Sequence, residues 1–198
     1  MRLILASNNK NKLREFKQLV EGMDIELLSQ SEAGLQLDVE ETGTTFEENA
    51  YLKAKAVTDA LGCAAVADDS GLVVDALGGE PGVYSARYGP GHDASDADRY
   101  NYLLNKLGDE KNRSARFVCC ICCTMPDGTV LRSRGECEGE IMHGPKGDGG
   151  FGYDPVFYVP SLRKTFAQMT PEEKNAISHR GNALRAFGAE LKEYLEKH

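Results

Sequence analysis

Apolar residues recur along this chain with two different periods, and each change of period marks a new element. Residues 2–7 are a short apolar run that reads as a buried strand. The polar turn Asn8-Asn9-Lys10-Asn11-Lys12 follows, and Leu13, Phe16 and Val20 then fall on one face of an amphipathic helix. Residues 25–28 read as a second strand and residues 31–41 as a loop that becomes acidic toward its end. Thr44-Thr45-Phe46-Glu47 has the Thr-x-x-Glu spacing of a capping box, and Phe46, Ala50, Ala54, Val57 and Leu61 continue at helical spacing. Residues 64–67 and 72–74 read as strand segments flanking Asp68-Asp69-Ser70-Gly71. Residues 78–91 form a Gly/Pro-rich loop and residues 93–107 a helix. Two long strands, residues 116–125 and 130–142, meet at Pro126-Asp127-Gly128, a composition suited to an antiparallel hairpin. After a glycine-rich loop over residues 144–152, Thr170-Pro171-Glu172-Glu173 joins a capping box to a proline at the first helical position. Leu184, Phe187, Leu191 and Leu195 form the stripe of a final helix. No repeat, low-complexity tract or flexible linker interrupts the series, so residues 1–198 read as one α/β domain.

Composition narrows what such a chain does. With 198 residues, 41% of them hydrophobic and 27% charged, it suits one globular domain or two tightly joined lobes. No stretch approaches the roughly 20 apolar residues of a membrane span, and the run Met1 to Ala6 is too short for a signal peptide, so a cytoplasmic location is expected. The formal net charge of −8 argues against a nucleic-acid-binding surface, which relies on Lys and Arg to neutralise phosphates. Of the six cysteines, the run Cys119-Cys120-Ile121-Cys122-Cys123 lacks the paired C-x-x-C knuckles of a structural zinc site. Strand alternation puts Cys120 and Cys122 on one face and Cys119 and Cys123 on the other, as small packing residues of a sheet covered on both sides.

Several segments combine residue types that bind anions, cations or flat ligands. Ser7 to Lys12 lies where a strand ends and a helix begins, so backbone N–H groups, the helix dipole and two lysines can meet an anion there; the plain alternative is an Asn-capped surface helix. It is not an ordinary P-loop, since no G-x-x-x-x-G-K-[ST] word is present. Carboxylates gather at Glu40-Glu41 and Asp68-Asp69. One residue from each pair would suffice for Mg²⁺, which keeps several waters and completes its shell with phosphate oxygens. Asp68 to Gly71 also has the composition of a simple turn. Lys53 lies about 20° from Phe46 and about 40° from Val57 in helical projection, at the edge of the apolar stripe, with Asn49 one turn before it. From there it either snorkels to water or reaches toward an acidic cluster. The segment Gly149-Gly150-Phe151-Gly152-Tyr153-Asp154-Pro155 allows a ring to lie beside a flat ligand with backbone close by, or forms a packed loop. Lys174, Ser178, His179 and Arg180 concentrate donors around a helical segment that is otherwise a solvated charged face.

Taken in order, these words resemble one family. They are Ser7-Asn8-Asn9-Lys10-Asn11-Lys12, Glu40-Glu41-Thr42-Gly43, Phe46-Glu47-Glu48-Asn49-Ala50, Ala67-Asp68-Asp69-Ser70-Gly71, the stretch Leu77 to Tyr88, Gly149 to Pro155, and Glu173-Lys174-Asn175-Ala176-Ile177-Ser178-His179-Arg180-Gly181. The chain so read resembles the inosine triphosphate pyrophosphatases, or Ham1-like proteins, along nearly its whole length; the cysteine-rich strand is the one segment left unmatched, and there the family carries varied apolar residues. The resemblance implies a two-lobed α/β fold with a long mixed β-sheet flanked by helices, an active site in the cleft between the lobes, and a homodimer. It implies hydrolysis of the non-standard purine nucleoside triphosphates ITP, dITP and XTP to monophosphate and pyrophosphate, with Mg²⁺ as cofactor. By the same resemblance Ser7, Asn8, Asn9, Lys10, Asn11 and Lys12 cradle the triphosphate, Glu40 and Asp69 hold Mg²⁺, and Lys53 lies by the phosphates. Asp69 activates the attacking water with Asp68 assisting, and Ser70, Phe151, Gly152, Tyr153, Asp154, Lys174, His179 and Arg180 bind base and sugar. The expected partner is a small nucleotide, with neither nucleic acid nor membrane involved.

Overall fold

Short apolar strands alternate with amphipathic helices through the first third of the chain, which is the pattern of a parallel sheet with crossover helices. A computed structural model, covering residues 1–198, bears this out. Strand β1 (Arg2–Leu5) leads into helix α1 (Lys10–Leu19), strand β2 (Glu26–Ser29) pairs parallel to β1, and helix α2 (Phe46–Leu61) returns the chain to strand β3 (Ala64–Val74), also parallel to β1. Helix α3 (Asp96–Leu107) precedes the long strands β4 (Ser114–Thr124) and β5 (Val130–Ile141), which the turn at Pro126-Asp127-Gly128 connects. Two short strands extend the sheet, β6 (Phe157–Val159) pairing antiparallel with β5 and β7 (Lys164–Thr165) antiparallel with β6, and helices α4 (Pro171–Ile177) and α5 (His179–Lys197) end the chain. The result is a mixed seven-stranded sheet in the order β2-β1-β3-β4-β5-β6-β7. No helix is long and apolar enough to cross a membrane.

By its contacts the chain divides into two compact units, one of residues 1–69, 119–135 and 182–198, the other of residues 70–118 and 136–181. In the first, the alternation of β1 serves two cores. Leu3 and Leu5 pack with Phe16 of α1 and with Phe187 and Leu191 of α5, whereas Ile4 packs with Val57 of α2 and Ala65 of β3. A strand buried on both faces must be apolar throughout, which is why residues 3–5 show no polar alternation. Cys119, Ile121 and Cys123 belong to the α1/α5 core, and all of residues 119–123 are buried, as the alternation of β4 predicts. None of the six cysteines forms a disulfide. In the second unit, Leu103 and Leu107 of α3 pack with Leu72, Phe117, Ile141, Phe157 and Phe166. Phe117 lies parallel to Phe166 at 5.5 Å and tilted against Phe157 at 4.6 Å.

Three sequence expectations need correction. The cap of α2 is Thr45 and not Thr44: its hydroxyl accepts the Glu48 N–H at 3.1 Å, while the Glu48 carboxylate accepts the Thr44 N–H at 2.7 Å. Asp68-Asp69-Ser70-Gly71 is not a turn between two strand segments; β3 runs unbroken through it for 11 residues. The Gly/Pro-rich stretch contains a 3₁₀ helix at Gly82–Arg87. The strands β6 and β7 span 3 and 2 residues, too few for a period to register in sequence.

Phe187 is fully buried and meets Phe16 edge-on at 6.1 Å. Phe187→Ala is expected to cost about 3–5 kcal/mol of stability, transfer and cavity terms together, read from the shift of the urea-unfolding midpoint.

Candidate active site

In the first unit, the period of β3 places the paired aspartates. Asp68 shares the face of Ala64 and Val66, toward α1, and Asp69 shares the face of Ala65, toward α2. Each therefore meets the lysine of a different helix. Lys12 of α1 reaches Asp68, Nζ to Oδ1 3.0 Å, and the Asp68 side chain is only 2% exposed. Lys53 of α2 donates to the Asp68 main-chain oxygen at 2.7 Å and lies 3.6 Å from Glu41 Oε1. Its place at the edge of the apolar stripe is used to reach the acidic cluster, not to snorkel to bulk water.

Asp69 is the least satisfied group of this cluster, with Oδ2 buried and given no hydrogen-bond partner. Burial is the main influence on it, pushing its pKa up to about 6; Lys53 and the Asn49 amide pull the value down, while Glu41 and Asp68 push it up. A carboxylate in that state either takes a proton or a cation. The fit to a hard divalent ion is good, because the donors present are carboxylate oxygens and one of them is buried without a donor. No group of three or more His, Cys, Asp or Glu side chains converges.

At the start of α1, Asn9 is the N-cap, and its Oδ1 accepts the N–H groups of Asn11 and Lys12, both at 3.0 Å. Those two donors, offered by sequence to an anion, are engaged by the cap. Ser7 Oγ accepts the Asn9 N–H at 3.1 Å and Asn8 Oδ1 the Ser31 N–H at 2.9 Å, so both shape the turn. Asn8, Asn9, Lys10 and Asn11 are exposed. The acidic loop brings Glu41 beside Lys53, whereas Glu40 is exposed. Nothing in the word Glu40-Glu41 tells the two apart, because an irregular segment has no period to assign faces. Ser70, next in β3, is exposed.

The second unit gathers the other expected residues. Phe151 is 74% exposed, and its N–H donates to Asp154 Oδ2 at 3.1 Å. Gly152 N–H donates to Asp96 Oδ2 at 2.8 Å, an anchor that the sequence did not suggest. Tyr153 is buried, with its hydroxyl donating to the Ser85 carbonyl at 2.7 Å, which leaves it a structural role in the loop. Asp154, with a side chain 4% exposed, pairs with Lys174 at 2.6 Å; burial pushes its pKa up and Lys174 restrains the rise. The Lys174 ammonium also lies 4.7 Å from the Phe151 ring centre and 5.4 Å from that of Phe166.

His179 stacks on Phe117, centroids 4.7 Å apart and planes within 15°, so its ring plane is set by the aromatic core of this unit. It opens α5, directly after Ser178, whose Oγ accepts the Gly181 N–H at 3.0 Å. Gly181 is needed there, since a Cβ would lie 2.1 Å from the Asn175 carbonyl oxygen. His179 and Arg180 thus occupy the first turn of a 19-residue helix, where the dipole adds to the positive charge of the arginine.

In the first unit of this α/β protein, lysines set against carboxylates lie beside an aspartate with one buried, unpartnered oxygen, an arrangement with the charge to meet a phosphate or a cation. The chain belongs to the Ham1 family, whose model matches residues 3–190. It is 53% identical over 186 residues to the dITP/XTP pyrophosphatase of Nostoc sp., covering 93% of this chain and 91% of that one. Among solved structures it is similar to the Ham1 protein of Staphylococcus aureus, with TM-score 0.93, 48% identity and coverage of 98% and 100%. A Ham1 protein from Coxiella burnetii also has TM-score 0.93, at 45% identity and coverage of 98% and 99%.

Lys174→Met leaves Asp154 buried without its counter-charge, and a stability loss of about 3 kcal/mol is expected at neutral pH. Without Lys174 the Asp154 pKa rises further. The folded form then favours the protonated acid, so the deficit should shrink as pH falls toward 5 and grow as it rises through that group's folded pKa; urea titrations at pH 5 and pH 8 read the difference.

Proposed function

We propose that this protein hydrolyses dITP, XTP and ITP at the α–β phosphoanhydride bond, releasing the nucleoside monophosphate and pyrophosphate and so removing non-standard purines from the nucleotide pool. The reading is supported by membership of the Ham1 family and by identity near one half, over almost the full chain, to relatives named dITP/XTP pyrophosphatase. The observation that carries the chemistry is Asp69: a carboxylate with one buried, uncompensated oxygen and a pKa near 6, set between Lys53 and Glu41. Such a group is a stronger base than an exposed aspartate and can orient a water and take its proton. Lys12 and Lys53 supply positive charge for the phosphates. Asp68 assists indirectly, by fixing Lys12 through its side chain and Lys53 through its carbonyl.

Magnesium is part of the proposal, with Asp69 as ligand and a second carboxylate from the Glu40-Glu41 pair. The position of Glu41 beside Lys53 favours Glu41 over Glu40. When bound, the ion would neutralise phosphate charge and lower the pKa of a coordinated water. Phe151 offers an exposed ring for stacking on a purine, and Lys174, His179 and Arg180 offer donors suited to a 6-oxo group, which an adenine amino group would leave unpaired. A homodimer rests on the family resemblance, and a cytoplasmic location on the reading of the sequence.

The deciding experiment is a panel of ITP, dITP, XTP, GTP and ATP with purified protein and Mg²⁺, resolving monophosphate and pyrophosphate from diphosphate and orthophosphate. Monophosphate with pyrophosphate from the 6-oxo purines is expected; diphosphate with orthophosphate would overturn the assignment. Asp69→Asn should lose turnover by about three orders of magnitude, and Glu41→Gln should raise the Mg²⁺ requirement more than Glu40→Gln. Equal Mg²⁺ titrations for wild type and both Glu variants would remove this loop from the metal site.

Base choice is tested on Arg180 against Lys12. Arg180→Ala should lower kcat/KM for ITP by about one to two orders of magnitude and narrow the gap to ATP, since a charge-assisted hydrogen bond contributes about 1.5–3 kcal/mol. Lys12→Ala should weaken both nucleotides alike, because phosphate contacts are shared and cancel in the ratio. Equal losses on ITP and ATP in Arg180→Ala would assign Arg180 to phosphate binding or to the fold.

A further inference from the structure

Asn49 is fully buried on α2, one turn before Lys53 and so on the same face as the lysine that reaches the Asp68 carbonyl. Its Oδ1 accepts the Gly43 N–H at 2.8 Å. That bond decides the orientation of the whole carboxamide: with the carbonyl oxygen committed to the loop, Nδ2 must be the donor end on the other side. Nδ2 is buried and completes no hydrogen bond within the protein, and the same is true of Asp69 Oδ2. The amide stands close enough to Asp69 to help hold down a pKa that burial pushes up.

The loop has been shaped to permit this. A Cβ on Gly43 would lie 2.6 Å from Asn49 Oδ1 and 2.7 Å from the Glu48 Cβ, so only glycine brings the main chain this near to α2. The next residue is tied down as well, Thr44 donating from its N–H to Glu48 Oε2 at 2.7 Å. Glu41 stands two residues before Gly43 on the same loop, beside Lys53. A buried primary amide without a partner costs free energy of the order of 1–3 kcal/mol, and leucine or alanine would avoid it in a purely structural position.

We propose that Asn49 is a positioning residue for the hydrolytic reaction: its carbonyl end latches the Glu41-bearing loop through Gly43, and its amide end is thereby presented to the Asp69 carboxylate. The latch holds the two carboxylates in register with each other. The inference rests on the reading of Asp69 as the water-activating, cation-binding group.

The test uses the full-length enzyme with Asn49→Ala, Gly43→Ala and the double variant, following thermal unfolding, kcat and KM for dITP, and Mg²⁺ affinity by calorimetry without nucleotide. Asn49→Ala is expected to lower kcat by about ten- to a hundredfold while KM changes by less than about threefold, and to weaken Mg²⁺ binding by about tenfold. Gly43→Ala should move both quantities the same way, and the double variant should be no worse than Asn49→Ala, because both substitutions break one linkage. Asn49→Asp keeps the shape but sets an oxygen against Asp69, and should not restore activity. A folded Asn49→Ala enzyme with kcat and Mg²⁺ affinity within about twofold of wild type would overturn the proposal, as would losses that multiply in the double variant. If Asn49→Ala does not fold, Gly43→Ala decides alone: wild-type kcat and Mg²⁺ affinity there overturn the latch. Asp69→Asn separates the two readings. Retained turnover in that variant would overturn the role of Asp69 itself, whereas an inactive Asp69→Asn beside a wild-type-like Asn49→Ala would overturn the latch only.

Discussion

The unbroken pleat of β3 through Asp68 and Asp69 is the constraint on which the proposed site depends. Because successive side chains of a strand point to opposite faces, two adjacent carboxylates are delivered to two different helices. One meets Lys12 of α1 and becomes a buried ion pair; the other is only partly compensated by Lys53 and Asn49 of α2 and keeps one buried oxygen without a hydrogen-bond partner. A turn at this position would let both carboxylates swing toward water and lose the distinction. Two like charges on neighbouring residues are tolerable because they are separated by the thickness of the strand, and because Lys53 binds the carbonyl between them.

Two of the cationic side chains expected to bind nucleotide, Lys12 and Lys174, are not waiting in solvent. Lys12 is held by Asp68 and Lys174 by Asp154, each carboxylate nearly fully buried. A buried carboxylate cannot lose its counter-charge cheaply, so these lysines remain near their partners and present only their outer hydrogens to a ligand. Fixed in this way, they lose less side-chain entropy on binding than free lysines, which carry about 2 kcal/mol of rotamer freedom. The carboxylates are therefore orienting devices for cations, in the same sense that Asn49 orients Asp69.

Much of this was legible in the amino-acid sequence, and the parts that were not share a physical cause. Period and caps located the main helices, and alternation correctly buried the cysteines of β4 on both faces. Lys53 was recognisable because a lysine on an apolar stripe is a local anomaly. The one-residue error at the cap of α2 arose because Thr44 and Thr45 each stand three residues before a glutamate, so the pattern Thr-x-x-Glu fits twice. Glu41 could not be told from Glu40 for a related reason: the loop has no period, and its faces are assigned by the Gly43 contact to α2, which is tertiary. Asp96, which anchors the Phe151 loop from 56 residues away in sequence, is beyond any local rule.

The balance at Asp69 explains why so many neighbours are needed around one carboxylate. Burial favours its protonated form, in which it could neither bind a cation nor accept a proton from water. Full compensation by Lys53 would return it to the ordinary aspartate range and make it a poor base. The observed arrangement lies between these limits, with Lys53 shared among Asp69, Glu41 and the Asp68 carbonyl, and with Glu41 and Asp68 opposing its effect. A neutral amide is the suitable fine adjustment in such a setting, because it can donate to the carboxylate without adding a full charge. That is the physical reason for an asparagine, and not a third lysine, one turn before Lys53.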